Sequence, residues 1–154
     1  MMTNLCCDVL STLRGKTLVT AESCTGGAIG AALTAIPGSS KVYKGGIISY
    51  SNDVKKTQLH VSRDLLEREG PVSAKVAEAM AVGARTELQA HIAVSVTGLA
   101  GPDGDDFGNP VGTVYIGYSD ENRTYSEKHL FSGDRDSIRQ QAVIAALHLV
   151  LKFA

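Results

Sequence analysis

Residues 92–98, IAVSVTG, are an almost uninterrupted run of apolar and β-branched side chains. Such a run reads as a strand of the buried type, apolar on both of its faces, and a strand of that kind needs a layer of structure above and below it. The rest of the chain supplies those layers. Leu5, Val9, Leu10 and Leu13 fall at helical spacing over residues 4–14 until Gly15-Lys16 interrupts them, and TLVTA (17–21) follows as a strand. A polar turn, AESCTGG (21–27), leads into AIGAALTAI (28–36), a second helical period stopped by Pro37-Gly38.

GGIISYS (45–51) reads as a further strand, with Asn52 or Asp53 capping the helix after it and Lys55 in that helix's first turn. Ser62 caps RDLLERE, which Gly70 closes, and Ser73 caps KVAEAMAVGARTELQ. TVYIGYS (113–119) and TYSEKHLF (124–131) form an antiparallel hairpin turned at Glu121-Asn122. Ser132 or Asp134 then starts a last helix with Ile138, Ala142, Ala145, Ala146, Leu149 and Val150 on one face. Interleaved strands and helices followed by a hairpin predict an α/β fold, a three-layer α/β/α sandwich on a mixed sheet, and 154 residues make one domain over 1–154.

Fifteen basic against sixteen acidic residues give a formal charge of −1, which disfavours a nucleic-acid-binding surface as the chain's main business. No apolar window reaches the roughly 18 residues of a membrane span, so no membrane association is expected. Three cysteines, two of them the adjacent Cys6 and Cys7, fit a reducing cytoplasm better than a disulfide framework. His60, His91, His129 and His148 are scattered, without ligand spacing to one another or to Cys24, so a metal site is not expected.

The polar junctions carry the candidate chemistry. AESCTGG brings Ser23, Thr25, Gly26 and Gly27 to the start of a helix, where free N–H groups favour an anion, although a helix cap and close packing explain the same residues. Lys55 can act as a base if burial holds it neutral, against the ordinary reading of a solvated lysine. Ser39 and Ser40 in PGSS supply further hydroxyls, and Tyr50 could donate to an oxyanion. Arg135 and Arg139 are spaced to hold a carboxylate or phosphate from one helix face, and Cys24 adjoins Ser23.

The ordered strings AESCTGG, PGSS with YKGG, SYSNDVK, GPVS, VTGLAGPDG, NPVGTVY and SGDRDSIR resemble the CinA C-terminal domain family over roughly residues 5 to 150. The resemblance implies an α/β/α amidohydrolase domain that converts nicotinamide mononucleotide to nicotinic acid mononucleotide and ammonia through a Ser/Lys arrangement, without metal or cofactor. It carries Ser23, Ser40, Tyr50 and Lys55 over as catalytic residues, and Thr25, Gly26, Gly27, Thr97, Arg135 and Arg139 as substrate-binding ones. A helix N-terminus beside it favours Ser23 as nucleophile, with Ser40 as the alternative. The expected partner is a small pyridine mononucleotide, with homo-oligomerisation left open. A catalytically silent nucleotide-binding domain is the alternative of a different class.

Overall fold

All 154 residues are described by the computed structural model. The elements follow in the order α1 (Met2–Thr12), β1 (Leu18–Glu22), α2 (Ala28–Thr34), β2 (Tyr43–Ile48), α3 (Asn52–Leu59), α4 (Arg63–Glu69), α5 (Ala74–Glu87), β3 (Ile92–Gly98), β4 (Thr113–Ser119), β5 (Thr124–Leu130) and α6 (Arg135–Phe153). The strands form one sheet in the order β2-β1-β3-β4-β5. β1 runs parallel to β2 and to β3, whereas β3, β4 and β5 alternate in direction. The sheet is therefore mixed and covered on both faces, as the buried run 92–98 requires.

Alternating side chains of the central strands feed two cores. Leu18, Ile92, Val94, Val96, Val114 and Ile116 pack with Leu5, Val9, Ile29, Leu33, Ile138 and Leu149 of α1, α2 and α6. On the opposite face Val19, Ala21 and Ala93 pack with Leu59, Leu66, Val76, Met80 and Ala84 of α3, α4 and α5. Each fully buried aliphatic side chain of this kind contributes about 1.5–3 kcal/mol of transfer free energy, so the two cores hold the sheet between its helical layers.

Local chemistry moves some boundaries. β2 ends at Ile48, short of residue 51, because the chain leaves the ladder there to cap α3. The cap is Ser51, whose Oγ accepts the Val54 N–H at 3.2 Å, in place of the expected Asn52 or Asp53. Asn52 becomes the first helical residue instead. Asp134 is the cap of α6, accepting the Ser137 N–H at 2.9 Å.

Gly83 fixes how closely α3 approaches α5. A Cβ at this position would lie 1.9 Å from the Leu59 carbonyl oxygen, a backbone atom that cannot swing aside. Helix propensity alone would favour Gly83→Ala by up to ~1 kcal/mol. Overpacking against α3 dominates here, and we expect net destabilisation of about 2 kcal/mol in urea unfolding. A neutral or stabilised variant would show that this contact does not set the position of α3.

Candidate active site

The chain passes from β1 through α2 to β2 on one side, then crosses to β3 on the other side of β1. Ligand crevices in open α/β sheets form beyond the strand ends at such a reversal. A cavity of about 430 Å³ lies there, lined among others by Ser23 after β1, Tyr50 after β2, Lys55 of α3 and Thr97 of β3. Arg135 from the start of α6 and Asp103 from the 98–112 loop complete its polar wall.

Ser23 is held by the strand ladder, its N–H donating to the Val96 carbonyl at 3.0 Å. Lys55 sits one turn into α3, and only 2% of it is exposed. Its Nζ reaches Ser23 Oγ at 2.9 Å, the Ser49 carbonyl at 2.8 Å and the Tyr50 carbonyl at 3.5 Å. No carboxylate forms an ion pair with it. Burial therefore drives its pKa from the ordinary 10.5 down to about 8, opposed in part by the neighbouring Cys24. A neutral amine has two N–H bonds and one lone pair. When the amine is neutral its two hydrogens can go to the two carbonyls and its lone pair to the Ser23 hydroxyl, a geometry suited to proton transfer between Ser23 and Lys55. The solvated-lysine alternative is thus excluded for Lys55. Cys24 lines the same cavity, but burial pushes its thiol up to about 11, away from thiolate chemistry.

The turn after Ser23 is fixed from two sides. Glu22, 2% exposed, accepts Thr25 Oγ1–H at 2.8 Å and the Ile29 N–H at 2.9 Å on one oxygen. Its other oxygen accepts Thr20 Oγ1–H at 3.1 Å and the Gly30 N–H at 3.1 Å. From α6, Arg139 donates to the Cys24 and Thr25 carbonyls, both at 3.0 Å. Carbonyl and N–H point opposite ways across a trans peptide, so anchoring the Cys24 carbonyl turns the Thr25 N–H away from Arg139. The N–H groups of Cys24 and Thr25 have no backbone acceptor.

These contacts correct several sequence expectations. The Ile29 and Gly30 N–H groups at the start of α2 are taken by the protein's own Glu22 carboxylate, so the helix does not offer them to the anion of a ligand. Gly26 and Gly27, with φ of 58° and 106°, supply the left-handed turn, and the Thr25 side chain is spent on Glu22. Arg139 grips the turn rather than lining the cavity. Ser40 lies exposed in a 3₁₀ turn (Ser39–Lys41) that precedes β2, whereas Ser23 follows the parallel β1. The six residues of β2 put it at the opposite end of the sheet, about 20 Å away.

Tyr50 and Arg135 do reach the cavity, with Arg135 donating to the Gly101 carbonyl and to Tyr50 Oη at 3.4 Å. Thr97 lines it too, its hydroxyl donating to the Pro71 carbonyl at 2.7 Å. Sequence reasoning missed Glu22, Asn52 and Asp103. For Glu22 a signal existed: an acid closing a buried strand, three residues before a threonine and just before a helix, is suited to bonding that helix's first N–H groups.

The model of the CinA C-terminal domain matches residues 3–154. The chain belongs to the CinA C-terminal domain family. It is 47% identical over 135 residues to a protein from Pseudomonas putida named nicotinamide-nucleotide amidohydrolase PncC, covering 88% of this chain and 84% of that one. It is 48% identical over 147 residues to a putative competence-damage inducible protein of Halothermothrix orenii, 92% of this chain but only 35% of that longer protein. Among solved structures, a CinA-superfamily protein from Escherichia coli matches with a TM-score of 0.97 at 35% identity, over 100% of this chain and 91% of that one. A competence/damage-inducible protein from Agrobacterium tumefaciens matches with a TM-score of 0.94 at 36% identity, covering 98% and 94%. The expected three-layer sandwich is therefore the architecture of this CinA-family chain.

Glu22→Gln tests the clamp. Each carboxylate oxygen takes one backbone N–H of α2, so either orientation of the amide sets its NH₂ against a donor. A loss of about 1–3 kcal/mol in urea unfolding is expected. Ser40→Ala, on the exposed surface, should stay within about 0.5 kcal/mol. Equal stability of the Glu22→Gln variant and the parent would remove the clamp.

Proposed function

We propose that residues 1–154 form one amidohydrolase domain that cleaves the carboxamide of nicotinamide mononucleotide, releasing ammonia and nicotinic acid mononucleotide. The observation that carries this reading is the unpaired, buried Lys55 amine 2.9 Å from Ser23 Oγ. The name of the P. putida relative, 47% identical over most of both chains, supports the choice of substrate. The three cysteines are free and no helix is long and apolar enough to cross a membrane, in keeping with a cytoplasmic setting for the activity.

In the proposed reaction Ser23 Oγ attacks the carboxamide carbon as Lys55 Nζ takes its proton, and the C=O electron pair moves onto oxygen. The unpaired N–H groups of Cys24 and Thr25 adjoin the nucleophile and are suited to receive that charge. The intermediate collapses with C–N cleavage, and Lys55 returns the proton to the departing nitrogen as ammonia forms. Water then attacks the acyl-serine, giving a proton to Lys55, which restores the Ser23 hydroxyl as the acid leaves. Base and nucleophile both come from the chain, so no step calls for a metal.

Purified protein with nicotinamide mononucleotide should release ammonia at a rate that exhaustive chelation leaves unchanged. Stabilisation by the nucleotide without any ammonia would overturn the enzyme reading in favour of a binding domain. Lys55→Ala should lower turnover by about 10²–10⁴-fold, with substrate affinity changing much less, while Lys56→Ala stays near wild type. Because the free base is the active form, kcat/KM should rise tenfold per pH unit below about 8 and level above it.

The same burial carries a stability cost with a definite sign. Below pH 8 both native and unfolded chains hold the lysine proton, and the difference between 10.5 and about 8 corresponds to about 3 kcal/mol against folding. Between pH 8 and 10.5 the native state sheds the proton first, so stability rises. Lys55→Met, isosteric and uncharged, should therefore be inactive yet more stable than wild type at pH 7, with the gain fading toward pH 10.5. A destabilised Lys55→Met variant at pH 7 would contradict the account.

A further inference from the structure

The 98–112 loop carries three carboxylates within four residues, Asp103, Asp105 and Asp106, and the fold gives them different surroundings. Asp105 is spent on the loop itself. It accepts the N–H groups of Phe107 at 3.1 Å and Asn109 at 2.9 Å, and Asn109 Nδ2 at 2.8 Å. Asn109 in turn donates to the Val72 carbonyl at 3.2 Å, tying the loop to the cavity wall. Asp106 is exposed, as Asp103 is, but lies outside the cavity lining.

Asp103 alone of the three lines the cavity, and it is the sole carboxylate to do so. It takes part in none of the molecule's ion pairs. Arg135, across the same cavity, is likewise free of any carboxylate and bonds instead to the Gly101 carbonyl and Tyr50 Oη. The cavity thus presents one unpaired anion and one unpaired guanidinium that do not neutralise each other. Such a wall complements a ligand bearing both signs of charge at separate points.

We propose that Asp103 selects a positively charged heteroaromatic ring in the ligand of this cavity. The inference rests on the pyridine mononucleotide reading above. A nicotinamide joined to ribose through its ring nitrogen is a pyridinium cation, whereas the phosphate at the other end is anionic. A carboxylate on the wall lowers the energy of the cationic ring relative to a neutral ring of the same shape, through charge rather than through contact area.

The test compares nicotinamide mononucleotide with benzamide riboside monophosphate, whose phenyl ring keeps the carboxamide, ribose and phosphate but carries no charge. Calorimetric Kd values are measured in a Ser23→Ala background, so that neither compound is consumed. Asp103→Asn should weaken the pyridinium nucleotide by about three- to tenfold at low salt, less at high salt, and change the neutral-ring compound by less than twofold. Asp106→Asn, the same charge change in the same loop but outside the cavity lining, should alter neither.

Equal weakening of both compounds by Asp103→Asn would make it a residue of loop structure and overturn the proposal. So would an unchanged Kd for the pyridinium nucleotide, or an equal effect from Asp106→Asn. The hydrolase reading fails separately: absence of ammonia release by protein with Ser23 intact would overturn that reading while the Kd comparison still decides the selection of charge.

Discussion

An amine buried without a carboxylate is the constraint around which this molecule is arranged. A lysine brought to 2% exposure normally acquires an acidic partner, and Lys55 has instead two backbone carbonyls and a serine hydroxyl. Carbonyl dipoles hold the amine in place without the charge that would keep it protonated. An acidic partner would secure the fold more cheaply, but it would raise the pKa and remove the lone pair from Ser23. In the proposed reaction the site trades stability at neutral pH for a base that can take a proton there.

The fold's contribution is to bring together groups 32 positions apart in sequence and keep them within hydrogen-bonding distance. Ser23 is fixed by the β1–β3 ladder and Ser49 by the β1–β2 ladder, its N–H donating to the Glu22 carbonyl at 2.9 Å. Lys55 is delivered by α3, whose capping Ser51 and close approach to Gly83 set its height and depth. Glu22 and Arg139 hold the intervening turn from within the sheet and from α6. Geometry of this kind, built on strands and helix ends with locked supporting contacts, is what a nucleophile and base acting as a pair require.

Much of this was legible in the sequence, for identifiable reasons. The unbroken IAVSVTG run demanded two covering layers, and the turn residues between periodic segments set the element order. The strings around Ser23 and Lys55 pointed to a shared site. Burial of Lys55 was not legible, because a lysine in a helix's first turn looks the same whether it faces water or a crevice. The position of Ser40 failed for a topological reason: in a parallel pair, a residue before one strand and a residue after its neighbour lie at opposite ends of the sheet. Arg139 is expected from the sequence to hold a carboxylate or phosphate of the substrate, and its grip on the turn is not legible because its partners, the Cys24 and Thr25 carbonyls, carry no side-chain signature. Ser51 displaced Asn52 and Asp53 as the cap because β2 ends at Ile48, a boundary that composition alone does not fix.

The protonation state of one atom decides whether the account stands. Titration of the Lys55 side chain by ¹³C NMR, with its Cε resonance assigned by loss of that signal in a Lys55→Met variant, measures it directly. The structure calls for a midpoint near pH 8, set by burial and undisturbed by any carboxylate. A midpoint near 10.5, the value of a lysine in water, would mean that the amine is charged throughout the working range and could not take the Ser23 proton.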